Sequence, residues 1–183
     1  MKLPDIKILD EKDSRLRKIS TDIEFPLSQD TKQTIKDMIT YLKMSQIEEY
    51  AEKYDLRAGM GLAYIQIGIP KRIFVIVEEL EDGSFKDYIL INPKVISHSE
   101  EIIYVGEGEG CLSVNREVDG IVPRYARITV EAQDMDGNKF KIRVREDISV
   151  AFQHEIDHLN GILFVDKIDP KNPFKNADVY REI

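Results

Sequence analysis

The stretch KFKIRVREDISVAFQHEIDHLNG, residues 139–161, changes its periodicity halfway along. In its first part Phe140, Ile142 and Val144 alternate with Lys139, Lys141 and Arg143. That period of two predicts an antiparallel strand with one face packed and one face wet. Further on, Ile148, Phe152, Ile156 and Leu159 recur at helical spacing, which predicts a helix over residues 148–160. Asp147 stands where an N-cap belongs and Gly161 where a C′ glycine belongs. An antiparallel strand that runs into an amphipathic helix points to an α+β architecture, with strands packed around this helix.

Working outward, the segments 127–132 and 139–144 flank Asp134-Met135-Asp136-Gly137-Asn138, a turn between two strands. Arg72–Glu78 is β-branched and aromatic, Asp82-Gly83 supplies a hairpin turn, and Phe85–Ile91 returns as its partner. Val95–Ser97 and Glu101–Val105 read as two further strands. Near the N-terminus Ile35, Met38, Ile39 and Leu42 predict a helix over 31–45, with Asp30 and Gln33 placed as a capping box. A short second helix is expected over 47–53.

The 183 residues suit one domain, 1–183. Apolar residues make up 42% and charged residues 33%, enough for a core and too balanced for disorder. With 26 Lys+Arg against 34 Asp+Glu the net charge is −8, which argues against general nucleic-acid binding. The longest apolar runs, such as Ile73–Val77, are far short of the roughly twenty residues a membrane span needs. The start, Met1-Lys2-Leu3-Pro4-Asp5, has no signal-peptide character. A single cysteine, Cys111, allows no internal disulfide, so a cytoplasmic location is expected.

The chemistry concentrates in His154-Glu155-Ile156-Asp157-His158. Histidines at i and i+4 share one helical face and can grip one metal ion, and Glu155 beside them can serve as general base. The pattern is short enough to arise by chance, but it uses two of only three histidines in the chain. The third, His98, is read as an ordinary surface or half-buried residue. A catalytic site of this kind needs a third protein ligand. Six residues after His158 stands Phe164, so the three-histidine version is out. Asp178 and Glu182 lie downstream but close to the C-terminus. Cys111 sits in Gly108-Glu109-Gly110-Cys111-Leu112-Ser113, where glycines on both sides of Glu109 let the backbone approach a ligand closely.

Glu109-Gly110-Cys111-Leu112-Ser113 together with His154–Gly161 resembles the peptide deformylase family. The family's third motif, a glycine-rich segment ending in glutamine, is matched by Gly59-Met60-Gly61-Leu62-Ala63-Tyr64-Ile65-Gln66. Order and separations agree, as do Pro123–Ile128 and Lys53–Arg57, over about residues 10–170. The long N-terminal half and short C-terminus look like the Gram-positive-type branch. One departure is Tyr64-Ile65, where the family usually has Ala-Pro, which leaves the backbone before Gln66 less constrained.

The resemblance implies removal of the N-formyl group from formyl-methionine at the start of newly made polypeptides, with release of formate. It implies one divalent metal on Cys111, His154 and His158, iron(II) in the cell, with zinc, nickel or cobalt as ions the same donors accept. Glu155 would move the water's proton, and Gln66 and the Leu112 N–H would face the developing oxyanion. Gly59 and Gly61 would let the peptide bind as an added strand beside Gly110, with Met60, Val150 and Ala151 around the methionine. A nascent substrate implies transient ribosome association; the expectation otherwise is a monomer with no direct nucleic-acid binding and no membrane partner. Two other readings stay open: a zincin-like endopeptidase using Asp178 or Glu182 as third ligand, and a non-catalytic metalloprotein or formyl-peptide binder.

Overall fold

The computed structural model describes residues 1–183. Its helices are α1 (Gln29–Gln46), α2 (Glu48–Tyr54) and α3 (Glu146–Leu159). Its strands are β1 (Gly61–Ala63), β2 (Ile73–Glu79), β3 (Phe85–His98), β4 (Ile102–Tyr104), β5 (Arg124–Tyr125), β6 (Arg127–Gln133), β7 (Lys139–Arg145) and β8 (Arg181–Glu182). An antiparallel sheet runs β1-β2-β3-β6-β7, and a small second sheet runs β5-β4-β8, with β8 parallel to β4. The chain is α+β, with strands on and around the helix that carries both histidines.

Period-two patterning divides the large sheet into two packed faces. Phe74, Ile76, Leu90, Val130 and Val144 point to one side and bury Phe152 and Leu159 of α3. The Phe152 ring meets Phe74 and Tyr88 edge-on at 5.4 and 5.5 Å. Ile73, Val75, Val77 and Ile91 point to the other side, onto Ile35, Met38 and Leu42 of α1. Helix α1 covers β1, β2 and β3, whereas α3 is the only helix packed on β6 and β7. The outer face of β6 and β7 therefore has no helix on it.

Several boundaries differ from the sequence reading. Helix α1 starts two residues earlier, at Gln29, because Ser28 is its N-cap and accepts from the Thr31 N–H at 3.1 Å. Gln33 closes no capping box and instead donates to Asp37. Asp147 is not the N-cap of α3; it lies inside the first turn, with Arg145 at the cap and no capping side chain. The expected strands 85–91 and 95–97 are one strand, β3, because two bulges accommodate Pro93 and the left-handed Asn92 without ending the pairing. Strands β1 and β8 went unread, being only three and two residues long.

The end of α3 matches expectation. The Ile162 N–H bonds to Asp157 O and the Gly161 N–H to His158 O, with Gly161 at φ +73°. This pattern satisfies the last helical carbonyls and needs the glycine. At the other end Arg181 of β8 holds both oxygens of Glu146 at 2.8 and 2.9 Å, tying the C-terminal strand to the start of α3. No helix is long and apolar enough to cross a membrane.

Candidate active site

His154 and His158 lie one turn apart on α3, whose buried stripe fixes the helix against the sheet. Cys111 comes from the loop between β4 and β5, and its Sγ is 3.3 Å from His158 Nε2. One donor atom from each of Cys111, His154 and His158 falls within 4.8 Å of the others. Arg57 clamps the loop that carries the thiol by donating to the carbonyls of Cys111 and Val114. The Ser113 N–H turns back onto Cys111 Sγ at 3.4 Å and helps to fix where the sulfur points.

A group the sequence reading left without a role sits behind this cluster. Glu109 accepts from His154 Nδ1 at 2.9 Å and takes both Nε and Nη2 of Arg124, each at 2.9 Å. Arg124 also reaches Asp157 at 2.5 Å, and its side chain is 1% exposed. Burial alone would raise the Glu109 carboxyl, but its bonds to His154 and Arg124 hold it down at about 2. An ionised Glu109 holds the proton on Nδ1 of His154; burial would lower this imidazole, but its bonds to Cys111 and Glu109 raise it to about 10, so a metal ion on Nε2 would take the place of a proton. Burial lowers His158 well below its ordinary value, so this second histidine is a neutral imidazole.

The donor set suits a divalent transition metal: one sulfur and two imidazole nitrogens, buried and converging. Two buried polar atoms here lack any partner within the chain, His158 Nδ1 and Glu155 Oε2. An orphaned carboxylate oxygen beside three ligands fits a site built around an ion and its water. Burial raises Glu155 to about 7, with His154 pulling it back down. A carboxyl tuned there can both take and return a proton near neutral pH. Only three protein donors converge, so the arrangement leaves a ligand position open.

Gln66 reaches the same place from the 3-10 turn after β1. The Ala63 N–H donates to Gln66 Oε1 at 2.9 Å, which turns the amide nitrogen toward Ser113 Oγ at 3.1 Å and Cys111 Sγ at 3.6 Å. The amide is thus oriented without the family's proline. Tyr64 finds its space in the core under α1, where its hydroxyl donates to Thr31 O, and Ile65 packs on the α3 side. The Leu112 N–H makes no hydrogen bond within the chain.

These groups open onto a cleft of about 550 Å³. Met60, Gly61, Gly110, Val150 and Ala151 line it together with Gln66, Leu112, Cys111, His154 and Glu155, while His158 lies beneath. Gly59 lines the cleft as well; Ser45 and Gln46 occupy its N–H and C=O, and a Cβ there would meet Leu112 Cδ1 at 2.6 Å. Its smallness lets the two cleft walls meet. Asp178 and Glu182 stay away from the donors; Glu182 accepts instead from the Tyr104 hydroxyl at 3.1 Å. Glu109, Arg124 and Asp157 could not be paired from sequence, since they lie 15 and 33 residues apart along the chain.

The family model described as polypeptide deformylase matches residues 6–174. A peptide deformylase of Oceanobacillus iheyensis is 53% identical over 152 residues, 83% of each chain. Peptide deformylase 2 of Bacillus anthracis is 47% identical over 171 residues, 93% of each chain. Among solved structures, a peptide deformylase from Legionella pneumophila superposes with a TM-score of 0.73 at 33% identity, covering 91% of this chain and 87% of its own. One from Thermotoga maritima gives 0.71 at 32% identity, covering 90% and 98%.

Proposed function

The chain belongs to the peptide deformylase family of metal-dependent hydrolases, and from that premise we propose that it removes the N-formyl group from the formyl-methionine that begins newly made polypeptides. The observation that carries the reading is the convergence of Cys111, His154 and His158 beside a buried carboxyl with a free oxygen. We assign these three as the metal ligands. A divalent ion held there supplies Lewis acidity at neutral pH. Iron(II) is our choice of working ion, and zinc, nickel and cobalt suit the same donors.

Glu155 takes the proton of the attacking water and returns it to the departing amine. Gln66 Nε2 and the unengaged Leu112 N–H donate to the formyl oxygen as it becomes an oxyanion. Strand β1 pairs only with β2 and leaves its other edge toward the cleft, where an extended peptide can add as a strand. Main-chain pairing of this kind ignores most side chains, so one pocket must recognise methionine; Met60, Val150 and Ala151 line it in our reading. A thiol ligand that oxidation would destroy supports a cytoplasmic enzyme.

The test is formate release from formyl-Met-Ala-Ser by protein loaded with iron(II) under anaerobic conditions, with the bound metal quantified. Wild type should turn over, and Cys111→Ala should lose most of its metal and its activity together. Absence of formate from metal-loaded wild type would overturn the function. A Cys111→Ala protein that kept its metal would return the endopeptidase reading, although no carboxylate stands ready as its third ligand.

Gly61 supplies a sharper check on positioning. A Cβ there would meet Glu155 Oε1 at 2.4 Å and Ile76 Cδ1 at 2.7 Å. Gly61→Ala should therefore displace the carboxylate and lower kcat/KM by about 10²-fold, the cost of a misplacement near 1 Å, while leaving metal content unchanged. Wild-type kinetics in that variant would show that Glu155 needs no fixed position.

A further inference from the structure

We propose that the outer face of β6 and β7 is a docking surface for the phosphate backbone of RNA. Strand β7 carries Lys139, Lys141, Arg143 and Arg145 at alternate positions, all exposed and on the side opposite the core residues Phe140, Ile142 and Val144. None of the four has a carboxylate within ion-pair distance, in a chain whose net charge is −8. Alternate residues stand about 7 Å apart, so the row extends roughly 20 Å along the edge of the sheet.

The pairing register widens the row into a patch. Arg145 stands opposite Arg127, Arg143 opposite Thr129, and Lys141 opposite Glu131, which in turn faces Lys94 of β3. The nearby acids are mostly engaged elsewhere. Glu101 is shared between Arg127 and Arg181, Arg181 takes both oxygens of Glu146, and Asp134 holds the turn by accepting from the Asp136 and Asn138 amides. Glu131 stands directly opposite Lys141, and Asp136 of the turn holds no ion pair. At one end Arg127 and Arg143 border a polar hollow with Ser97, Ser99 and Thr129; the Ser99 hydroxyl already donates to Glu101 O, which leaves those of Ser97 and Thr129 as donors of the kind that hold a phosphate oxygen.

Protection of an edge strand explains one or two lysines, but not this arrangement. Arg145 faces a like charge, Arg127, directly across the ladder, a pairing that destabilises it, and only Lys141 of the row faces an acid, Glu131. No helix covers this face, and a regular cationic row complements a regular polyanion. RNA is the polyanion we choose because of the reading above, on which this inference rests: a nascent substrate is met at the ribosome. The result departs from what net charge suggests, because charge here is unevenly distributed. The C-terminal lysines are weaker candidates, since Lys167 and Lys175 already pair with Asp157 and Asp169.

The experiment measures binding of the full-length, metal-loaded protein to a fluorescent RNA duplex of about 16 base pairs, between about 50 and 200 mM KCl. Formate release from formyl-Met-Ala-Ser is followed in parallel. Wild type should bind with log affinity falling linearly against log salt, with a slope near −3 for three to four phosphates neutralised. K139E/K141E/R143E should weaken binding at least about tenfold and flatten the slope, and the neutral K139Q/K141Q/R143Q should lie between. Both variants should melt with wild type and turn over the free peptide unchanged. Equal binding by wild type and variants overturns the proposal, as does a surface that binds anionic lipid vesicles but not the duplex. Intact formate release without RNA binding sinks only the docking surface. RNA binding without formate release sinks the hydrolase reading instead.

Discussion

Glu155→Ala is expected to keep its metal and to lose formate release by about 10²–10⁴-fold, the usual worth of a positioned general base. The carboxylate touches no other side chain as a partner, and its Oε2 is buried without a hydrogen bond. Nothing in the ligand cluster depends on it, since the three donors are Cys111, His154 and His158. Removing a buried carboxyl without partners also removes a desolvation cost, so thermal stability should hold or rise. Metal stoichiometry, melting and single-turnover formate release on one preparation separate these effects. Near-wild-type turnover in the variant would assign proton transfer to some other group.

The largest stability effect is expected from Arg124→Leu. Its guanidinium bridges Glu109 and Asp157, and both carboxylates stay inside the protein when it is gone. Stripping one member from a buried ionic group costs about 3–5 kcal/mol. For a domain of this size that lowers the melting temperature by roughly 6–20 °C. Glu109 would still face His154 but with its orientation loosened, so metal affinity should fall about 10–100-fold. The sign with pH follows from Glu109, whose carboxyl is held at about 2 against its ordinary 4.5. A depressed carboxyl stabilises fully above its unfolded value and loses that contribution as pH falls toward the folded one. The gap between wild type and Arg124→Leu should therefore be full at neutral pH and narrow from about 4.5 toward 2. A gap that persisted undiminished to low pH would mean that Arg124 acts by filling space and not by charge. Pairing the substitution with Glu109→Gln should recover part of the loss, which a double-mutant cycle would measure.

Helices α1 and α3 and the hairpin β6–β7 were legible because their signals are local. Each carries its period within fifteen or so residues, and Asp134 and Gly161 mark ends by backbone needs that neighbours satisfy. The boundaries that shifted were set from outside. Pro93 breaks a local strand pattern, yet pairing with β6 carries β3 past it on two bulges. Ser28, and not Asp30, caps α1, because the chain enters the helix in an extended conformation at that residue. Strands β1 and β8 are too short to have a period of their own and exist only through their partners.

The same division runs through the site. By itself the sequence determined the types of ligand and base and their helical spacing, since His154, Glu155 and His158 are four residues apart at most. It also determined that the only thiol in the chain directly follows a Gly-Glu-Gly stretch. Only the tertiary structure decided that Cys111 reaches His158, that Asp178 and Glu182 do not, and that Glu109, Arg124 and Asp157 form the charged support behind His154. The alternation along the sequence already put Lys139, Lys141 and Arg143 on the wet face of β7, and the tertiary structure decided that no helix lies over them. The physical reason is that spacing along a helix or strand is set by local backbone geometry, whereas a buried ion cluster is chosen by which distant segments the core brings together.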